Sequence, residues 1–397
     1  MLLEGKNILV CVSGGIAAYK VVDVVSRLKK LNANVNVIMT KSATNFVAPL
    51  TFQTLSQNFV NVDMFEEPKT WEVEHISLAE KADLVLIAPA TANVIGKIAN
   101  GIADDMLTTV VMATKAKVIF APSMNTHMYM NPIVKENMEK LKAYGYEFIN
   151  ANVGLLACGT YGEGRMAEPA EIVEYLKNSF YDKDLKGKKI VITAGPTIEP
   201  LDPVRYMTNF SSGKMGYALA KMAKNRGGDV VLITGPTNLC PPSGVKVVNI
   251  NTTREMLNAI EKEFDDCHVL IKAAAPLDYR PETVSDKKIK KGEEALELRF
   301  VRNPDIAMHF GKIKGEKIMV GFAAETNNLI EYAKEKMAKK NFDFIVANDV
   351  SKEGAGFRTN TNIVNIIDKS GKVFEYPLMS KDELANIILD KVVELLN

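Results

Sequence analysis

Apolar residues in this chain come in short runs rich in Val, Ile and Leu. Longer stretches separate them, in which apolar positions recur every three or four residues. The short runs read as strands buried on both faces, and the longer stretches as amphipathic helices that cover them. Residues 7–13 predict a strand, 17–31 a helix and 34–40 the next strand. Residues 83–88 and 117–121 predict further buried strands, with an Ala-rich helical stretch over 103–114 between them. This alternation belongs to an α/β fold, a largely parallel sheet between layers of helix.

The pattern is interrupted once. Between 177 and 189 the chain turns polar, with Asn178, Asp182, Lys183, Asp184, Lys186, Gly187 and Lys188, as expected of a domain boundary. A new series of strands follows at 189–193, 229–234, 268–273, 317–321 and 342–347. Runs 363–368 and 373–376 alternate like an antiparallel edge, and 381–396 predicts a closing helix. The expectation is two Rossmann-like α/β domains, 1–186 and 187–397, the second with a mostly parallel sheet.

Composition narrows the class. A length of 397 residues exceeds one compact core, and 47% hydrophobic with 24% charged residues fits a folded globular chain. Lys and Arg number 49 against 48 Asp and Glu, so no whole-chain charge attracts nucleic acid or an acidic membrane. Anions must instead be held by local geometry. Cys11, Cys158, Cys240 and Cys267 form no CxxC pair, which argues against a disulfide scaffold or zinc ribbon and fits a reducing cytoplasm. The apolar run that follows the N-terminal charges, Ile8 to Val12, is the wrong length for a signal peptide. No run approaches the roughly 18–20 apolar residues of a membrane helix.

Chemistry concentrates where strands end. Ser13-Gly14-Gly15-Ile16 follows the first strand; its glycines admit a ligand close to the backbone, and the next helix offers N–H groups to a phosphate. GxGxxG is absent, and no acid ends the second strand, so a mononucleotide fits better than a dinucleotide. Helix packing is the plainer alternative. Thr40, Ser42 and Thr44 end the second strand, and Ala88-Pro89-Ala90-Thr91 the fourth, the place where doubly wound folds bind ligands. As helix caps they would serve equally. His75 stands in a charged segment where an imidazole can act as a base, or be an ordinary surface residue. Asn125, in Pro122-Ser123-Met124-Asn125, either binds a carboxylate or caps a helix. Cys158 lies among glycines in the segment running to Gly164-Arg165-Met166, which reads as a flap with a thiol able to donate a proton.

These motifs together resemble the flavin-containing cysteine decarboxylases, phosphopantothenoylcysteine decarboxylase in particular. The resemblance implies a flavodoxin-like sandwich holding FMN at the first turn and strand ends. It also implies an active site shared between subunits of a trimer. By the same resemblance His75 assists removal of the thiol proton, Asn125 orients the substrate carboxylate, and Cys158 supplies the closing proton of a redox-assisted decarboxylation.

In the second half two Gly-Pro-Thr turns, at 195–197 and 235–237, follow strands; each either offers N–H groups to an anion or is an ordinary turn. Ser211-Ser212-Gly213-Lys214 has the look of a phosphate loop without the GxxxxGK spacing, which disfavours a P-loop ATPase. Ala273-Ala274-Ala275 leads to Asp278, with Lys287, Lys288, Lys290 and Lys291 soon after. An acid for a metal and several cations for phosphates suit a nucleoside triphosphate; a solvated basic loop is the plainer reading. Asn303-Pro304-Asp305-Ile306 and the loop from Phe322 adjoin further strands, and Lys336 and Lys340 share one helix face.

This half resembles the bacterial and archaeal phosphopantothenate–cysteine ligases, on Asn209 to Gly216, Asp278-Tyr279-Arg280, Lys288-Ile289-Lys290, Asn303-Pro304-Asp305, Gly321 to Thr326 and Ala347 to Val350. The resemblance implies that 4'-phosphopantothenate is activated as an acyl-nucleotidylate with CTP and Mg2+, then attacked by the amine of L-cysteine. Asn209 would hold the acyl intermediate and Lys288 stabilise the departing pyrophosphate. Ala273 to Ala275, Asp278, Asn303 to Ile306, Phe322, Lys336 and Lys340 would hold nucleotide, with Asp278 at the metal. It further implies a dodecameric homo-oligomer. Pro276-Leu277 departs from the commoner Val-Ala, which leaves CTP over ATP a preference. A flavoprotein with another substrate, or a non-catalytic relative, are the competing readings; the ligase half argues against the first, and Cys158 with Lys288 against the second.

Overall fold

The computed structural model describes residues 2–65, 73–156, 159–291, 296–325, 329–349, 356 and 359–397. The chain divides into two compact units, Met1–Phe180 and Tyr181–Asn397.

In the first unit six strands, β1 (Asn7–Val12), β2 (Asn34–Met39), β3 (Val60–Asn61), β4 (Leu84–Ala90), β5 (Lys117–Pro122) and β6 (Glu147–Phe148), form a sheet in the order β3-β2-β1-β4-β5-β6. Every pairing is parallel. Side chains of a strand alternate between faces, so a sheet covered on both sides needs continuous apolar runs. Along β1, Ile8, Val10 and Val12 enter one core while Leu9 and Cys11 enter the other. The strand order reverses between β1 and β4, and the crevice at their carboxyl ends is where such a fold binds its ligand.

The second unit repeats the plan. Its strands Lys189–Ala194, Asp229–Thr234, Lys246–Asn249, Val269–Lys272, Ile318–Glu325 and Phe344–Asp349 are parallel, with the first and fourth adjacent at the reversal. Thr361–Asp368 and Val373–Ser380 then extend the sheet antiparallel, as their alternating pattern predicts. Leu185 is buried in this unit's core and Asp184 pairs with Arg226 at 2.5 Å, so the polar segment before the first strand packs with the second unit. Among the described residues, no helix is long and apolar enough to cross a membrane.

Candidate functional site

The reversal point of the first sheet opens on a cavity of about 750 Å³. Ser13 is buried at its floor, its hydroxyl donating to the Pro89 carbonyl at 2.6 Å and meeting Thr91 Oγ1 at 3.2 Å. Those bonds join the ends of β1 and β4. A Cβ at Gly14 would lie 2.5 Å from the Ser42 Cβ, so only glycine lets this turn meet the one after β2. No side chain caps the helix Ala18–Lys30, and no acid sits in its first turn. The Ala18 N–H donates to the Gly15 carbonyl at 2.9 Å and the Lys20 N–H to the Ala17 carbonyl at 3.0 Å, so what the helix start offers an anion is chiefly its positive dipole end.

Ser13, Gly14, Gly15, Ile16, Thr40, Ser42, Thr91 and Asn125 all line this cavity. Thr44, Ala88, Pro89 and Ala90 are not among the described lining residues: Thr44 donates to the Lys41 carbonyl at 2.8 Å, and the other three lie within buried β4. Asn125 caps the helix Thr126–Met130, its Oδ1 accepting from the His127 N–H at 2.8 Å. That bond gives the amide Nδ2 the donor end, the polarity a carboxylate needs. His75 is half-buried on the helix Glu74–Lys81 and is not among the described lining residues.

The expected flap is an antiparallel hairpin, Asn152–Leu155 against Tyr161–Arg165, and Cys158 lies outside the described residues. Leu156, just before it, lines the cavity. The hairpin docks on the Asn125 turn through the Met124 N–H, which donates to the Gly164 carbonyl at 2.9 Å. Gly164 has φ +123°, and a Cβ there would stand 2.4 Å from the Met124 carbonyl oxygen. Lys20 and Arg165 both grip Glu168, at 2.9 and 2.7 Å, and the Lys20 bond holds its carboxyl below the ordinary range. Sequence reading missed Lys97 and Asp105 on the wall, 3.4 Å apart. Asp105 caps the helix Met106–Ala113 with Thr108 in a reciprocal box; Asp-x-x-Thr before an apolar run was the available signal.

In the second unit a cavity of about 440 Å³ opens at the equivalent reversal point. Asn209, Ala273, Ala274, Ala275, Asp278, Phe322, Lys336 and Lys340 line it. Asn209 donates to the Ala275 carbonyl at 3.0 Å, and Lys336 Nζ to the Phe322 carbonyl at 3.1 Å. The helix Lys214–Asn225 begins at Gly213, φ +78°, with no side-chain cap and no acid in its first turn, again facing the cavity. The Gly-Pro-Thr turns pack on each other: a Cβ on Gly235 would overlap the Pro196 carbonyl, and the Gly235 N–H donates to Ala194. Those glycines answer to backbone contact.

Asn303, Pro304, Asp305 and Ile306 are not among the described lining residues. Asn303 donates to Glu199 Oε1 at 3.0 Å and the Leu277 carbonyl at 2.9 Å, while Asp305 caps the helix Ile306–Ile313 and pairs with Lys340 at 3.1 Å. These residues brace the wall. Lys288 is exposed on a loop outside the described lining, but its neighbour Ile289 is clamped. Asp202 Oδ2 accepts from the Ile289 N–H at 3.1 Å, and Arg205 donates to the Ile289 carbonyl at 2.6 Å. Asp202 is buried, and the Arg205 guanidinium holds its carboxyl well below the usual range. The wall also carries Lys214, Lys272 and Lys381, of which the last two escaped the sequence reading. Lys381 donates to the Thr359 carbonyl, and burial followed by the Lys214 charge lowers its ammonium pKa to about 8. No group of three His, Cys, Asp or Glu side chains gathers among the described residues.

Residues 2–181 match the family described as Flavoprotein, and residues 185–396 match the DNA/pantothenate metabolism flavoprotein C-terminal domain. The chain is 48% identical to the coenzyme A biosynthesis bifunctional protein CoaBC of Bacillus subtilis (strain 168), across 99% of this chain and 98% of that one. It is 43% identical to the CoaBC protein of Escherichia coli (strain K12), across 99% and 98%. A crystal structure of the C-terminal domain of a CoaBC protein is similar at 43% identity and TM-score 0.48, covering 54% of this chain and 98% of that one. Two family matches in series and full-length identity of this order mean that the chain belongs to the coenzyme A biosynthesis bifunctional proteins, with a flavoprotein domain ahead of a pantothenate-metabolism domain.

Proposed function

We propose that the two cavities perform successive steps. The C-terminal one joins L-cysteine to 4'-phosphopantothenate at the expense of CTP, and the N-terminal one decarboxylates the resulting phosphopantothenoylcysteine with FMN. One observation carries this reading: each unit has its own cavity at the reversal point of its sheet, the first lined by the Ser13–Ile16 turn and the second by the start of the helix Lys214–Asn225, both suited to a phosphate.

In the first cavity Asn125 lends its amide donor to the substrate carboxylate, and the turn Ser13–Ile16 with the start of the following helix holds the FMN phosphate. FMN supplies the two-electron chemistry that makes carbon dioxide loss feasible. Cys158, beyond Leu156 in the flap, is the proton donor of this reading. His75 stands away from the described wall, which accords with an active site completed by a neighbouring subunit of a homo-oligomer, a dodecamer by family resemblance.

In the second cavity Asn209, held against the Ala275 carbonyl, positions the acyl group, and Lys336 and Lys340 hold phosphates. Asp278 provides one carboxylate for Mg2+, which keeps most of its shell as water and phosphate oxygen. Lys288, on the loop pinned at Ile289, meets the charge that builds as pyrophosphate departs. A cytoplasmic setting accords with the phosphorylated substrates and with the free thiols of Cys11, Cys240 and Cys267 among the described residues.

The test is to supply 4'-phosphopantothenate, cysteine, Mg2+ and either CTP or ATP to the yellow, FMN-bearing protein, following pyrophosphate and carbon dioxide. Pyrophosphate should appear with CTP before carbon dioxide does. A colourless preparation that stays inactive when FMN is added overturns the N-terminal half of the reading. Carbon dioxide without any nucleotide requirement from the same substrates overturns the C-terminal half.

A further inference from the structure

Glu199 stands in the middle of the short strand Ile198–Pro200 and is 3% exposed, yet among the described residues no cation pairs with it. Its Oε1 instead accepts from two neutral groups, the Thr253 N–H at 3.1 Å and the Asn303 side-chain amide at 3.0 Å. Thr253 is the first residue of the helix Thr253–Phe264, so the carboxyl takes up one of the N–H groups that a helix start leaves unpaired and meets its positive end. Burying an acid costs more than burying an apolar residue of its size, so this position answers to what the acid holds.

What it holds leads to the cavity of the second unit. The Asn303 amide also donates to the Leu277 carbonyl at 2.9 Å, and its Oδ1 accepts from Arg280 Nη1 at 3.2 Å. The Asn303 N–H donates to the Asp278 carbonyl at 2.8 Å. From the other side the buried hydroxyl of Thr197 accepts from the Leu277 N–H at 2.9 Å and meets Thr253 Oγ1 at 3.0 Å. Both backbone groups of Leu277 and the carbonyl of Asp278 are thus fixed, and Asp278 is the acid on the cavity wall.

We infer that Glu199, itself outside the described lining, is a positioning residue of this cavity: through Asn303 it holds the Leu277–Asp278 backbone, and so sets where the Asp278 carboxylate meets the Mg2+ of the bound nucleotide. The inference rests on the nucleotide reading above.

Calorimetric titration of the full-length FMN-bearing protein with CTP, in the presence and absence of Mg2+ and without phosphopantothenate, tests this together with thermal unfolding. E199A leaves the Thr253 and Asn303 donors unpaired, so the Kd for CTP with Mg2+ should rise about tenfold, while the Kd without Mg2+ should change by less than about twofold. E199Q keeps an oxygen acceptor but loses the charge at the helix start. It should lower the melting temperature and hold the affinity for CTP with Mg2+ within about threefold of wild type, whereas a role in packing alone would move the two together. E199D, with its carboxyl drawn back by one methylene, should show a smaller loss of the same kind, and it carries the test where E199A folds poorly. In a D278N background E199A should add less than about twofold, because the carboxylate it positions is gone. Wild-type affinity with Mg2+ in both E199A and E199D, equal losses with and without Mg2+, E199Q as weak as E199A, or full addition to D278N overturns the inference. Failure of the wild-type protein to bind CTP or ATP overturns the nucleotide reading, and the inference with it.

Discussion

Asp202 is three residues from Arg205 in sequence but reaches Ile289 through space, and so decides where Lys288 and Lys290 stand. Its two oxygens accept from the Val204, Arg205 and Ile289 N–H groups and from the Arg205 side chain. Asp202→Asn keeps an acceptor but removes the charge that fixes Arg205, so the clamp on Ile289 loosens. We expect ligase kcat to fall roughly 10- to 100-fold, the scale of a displaced catalytic group. Decarboxylation of supplied phosphopantothenoylcysteine, run on the same preparation, should be unchanged; an equal fall in both would contradict the assignment. Residues of this kind are hard to read from sequence. Asn209, Asp278 and Lys336 announce themselves by composition beside strand ends, whereas the work of Asp202 depends on a loop more than eighty positions away. Asn303 carries a second role that its motif does not announce: its side-chain amide ties Glu199 to the Leu277 carbonyl.

Among the elements, strands were the most legible because burial on both faces leaves an unbroken apolar signature. The hairpin before Arg165 was less so, since glycine there means contact as much as freedom. At Gly164 both apply. A left-handed backbone and a carbonyl 2.4 Å from any Cβ make Gly164→Ala unable to keep the hairpin docked on Met124. The strain amounts to about 1–3 kcal/mol, enough to favour an undocked flap. Decarboxylation should drop while bound-flavin absorbance persists. Gly5→Asn is the control: its φ is also positive, at +72°, but a Cβ there meets nothing within 4 Å, and asparagine tolerates that region. Equal loss in both variants would mean that contact at Met124 is immaterial.

At the scale of the whole molecule, the same strand order occurs twice, each time around its own core. The sequence shows this as a second start after the polar stretch before Lys189. It does not show which side that stretch joins, because only the buried Leu185 and the Asp184 pair with Arg226 reveal it. Separate cores make separate stabilities. Phe310 is fully buried in the second unit, so Phe310→Ala should destabilise that unit by about 3–5 kcal/mol. Thermal unfolding should show one transition moving down while the flavin-reporting transition stays in place. A joint shift of both would show that the units unfold as one.

The sheet of the second unit finishes in an antiparallel pair, and that ending has a practical consequence for anyone who trims the protein. Asn362 lies in the first of these edge strands and Lys381 opens the final helix, yet both stand on the wall of the second unit's cavity. A proteolytic nick or shortened clone that discards everything after Asn360 would therefore leave six parallel strands intact and strip one side from the cavity. Tags and cuts belong clear of Asn362 and Lys381, since both are part of the receptacle itself.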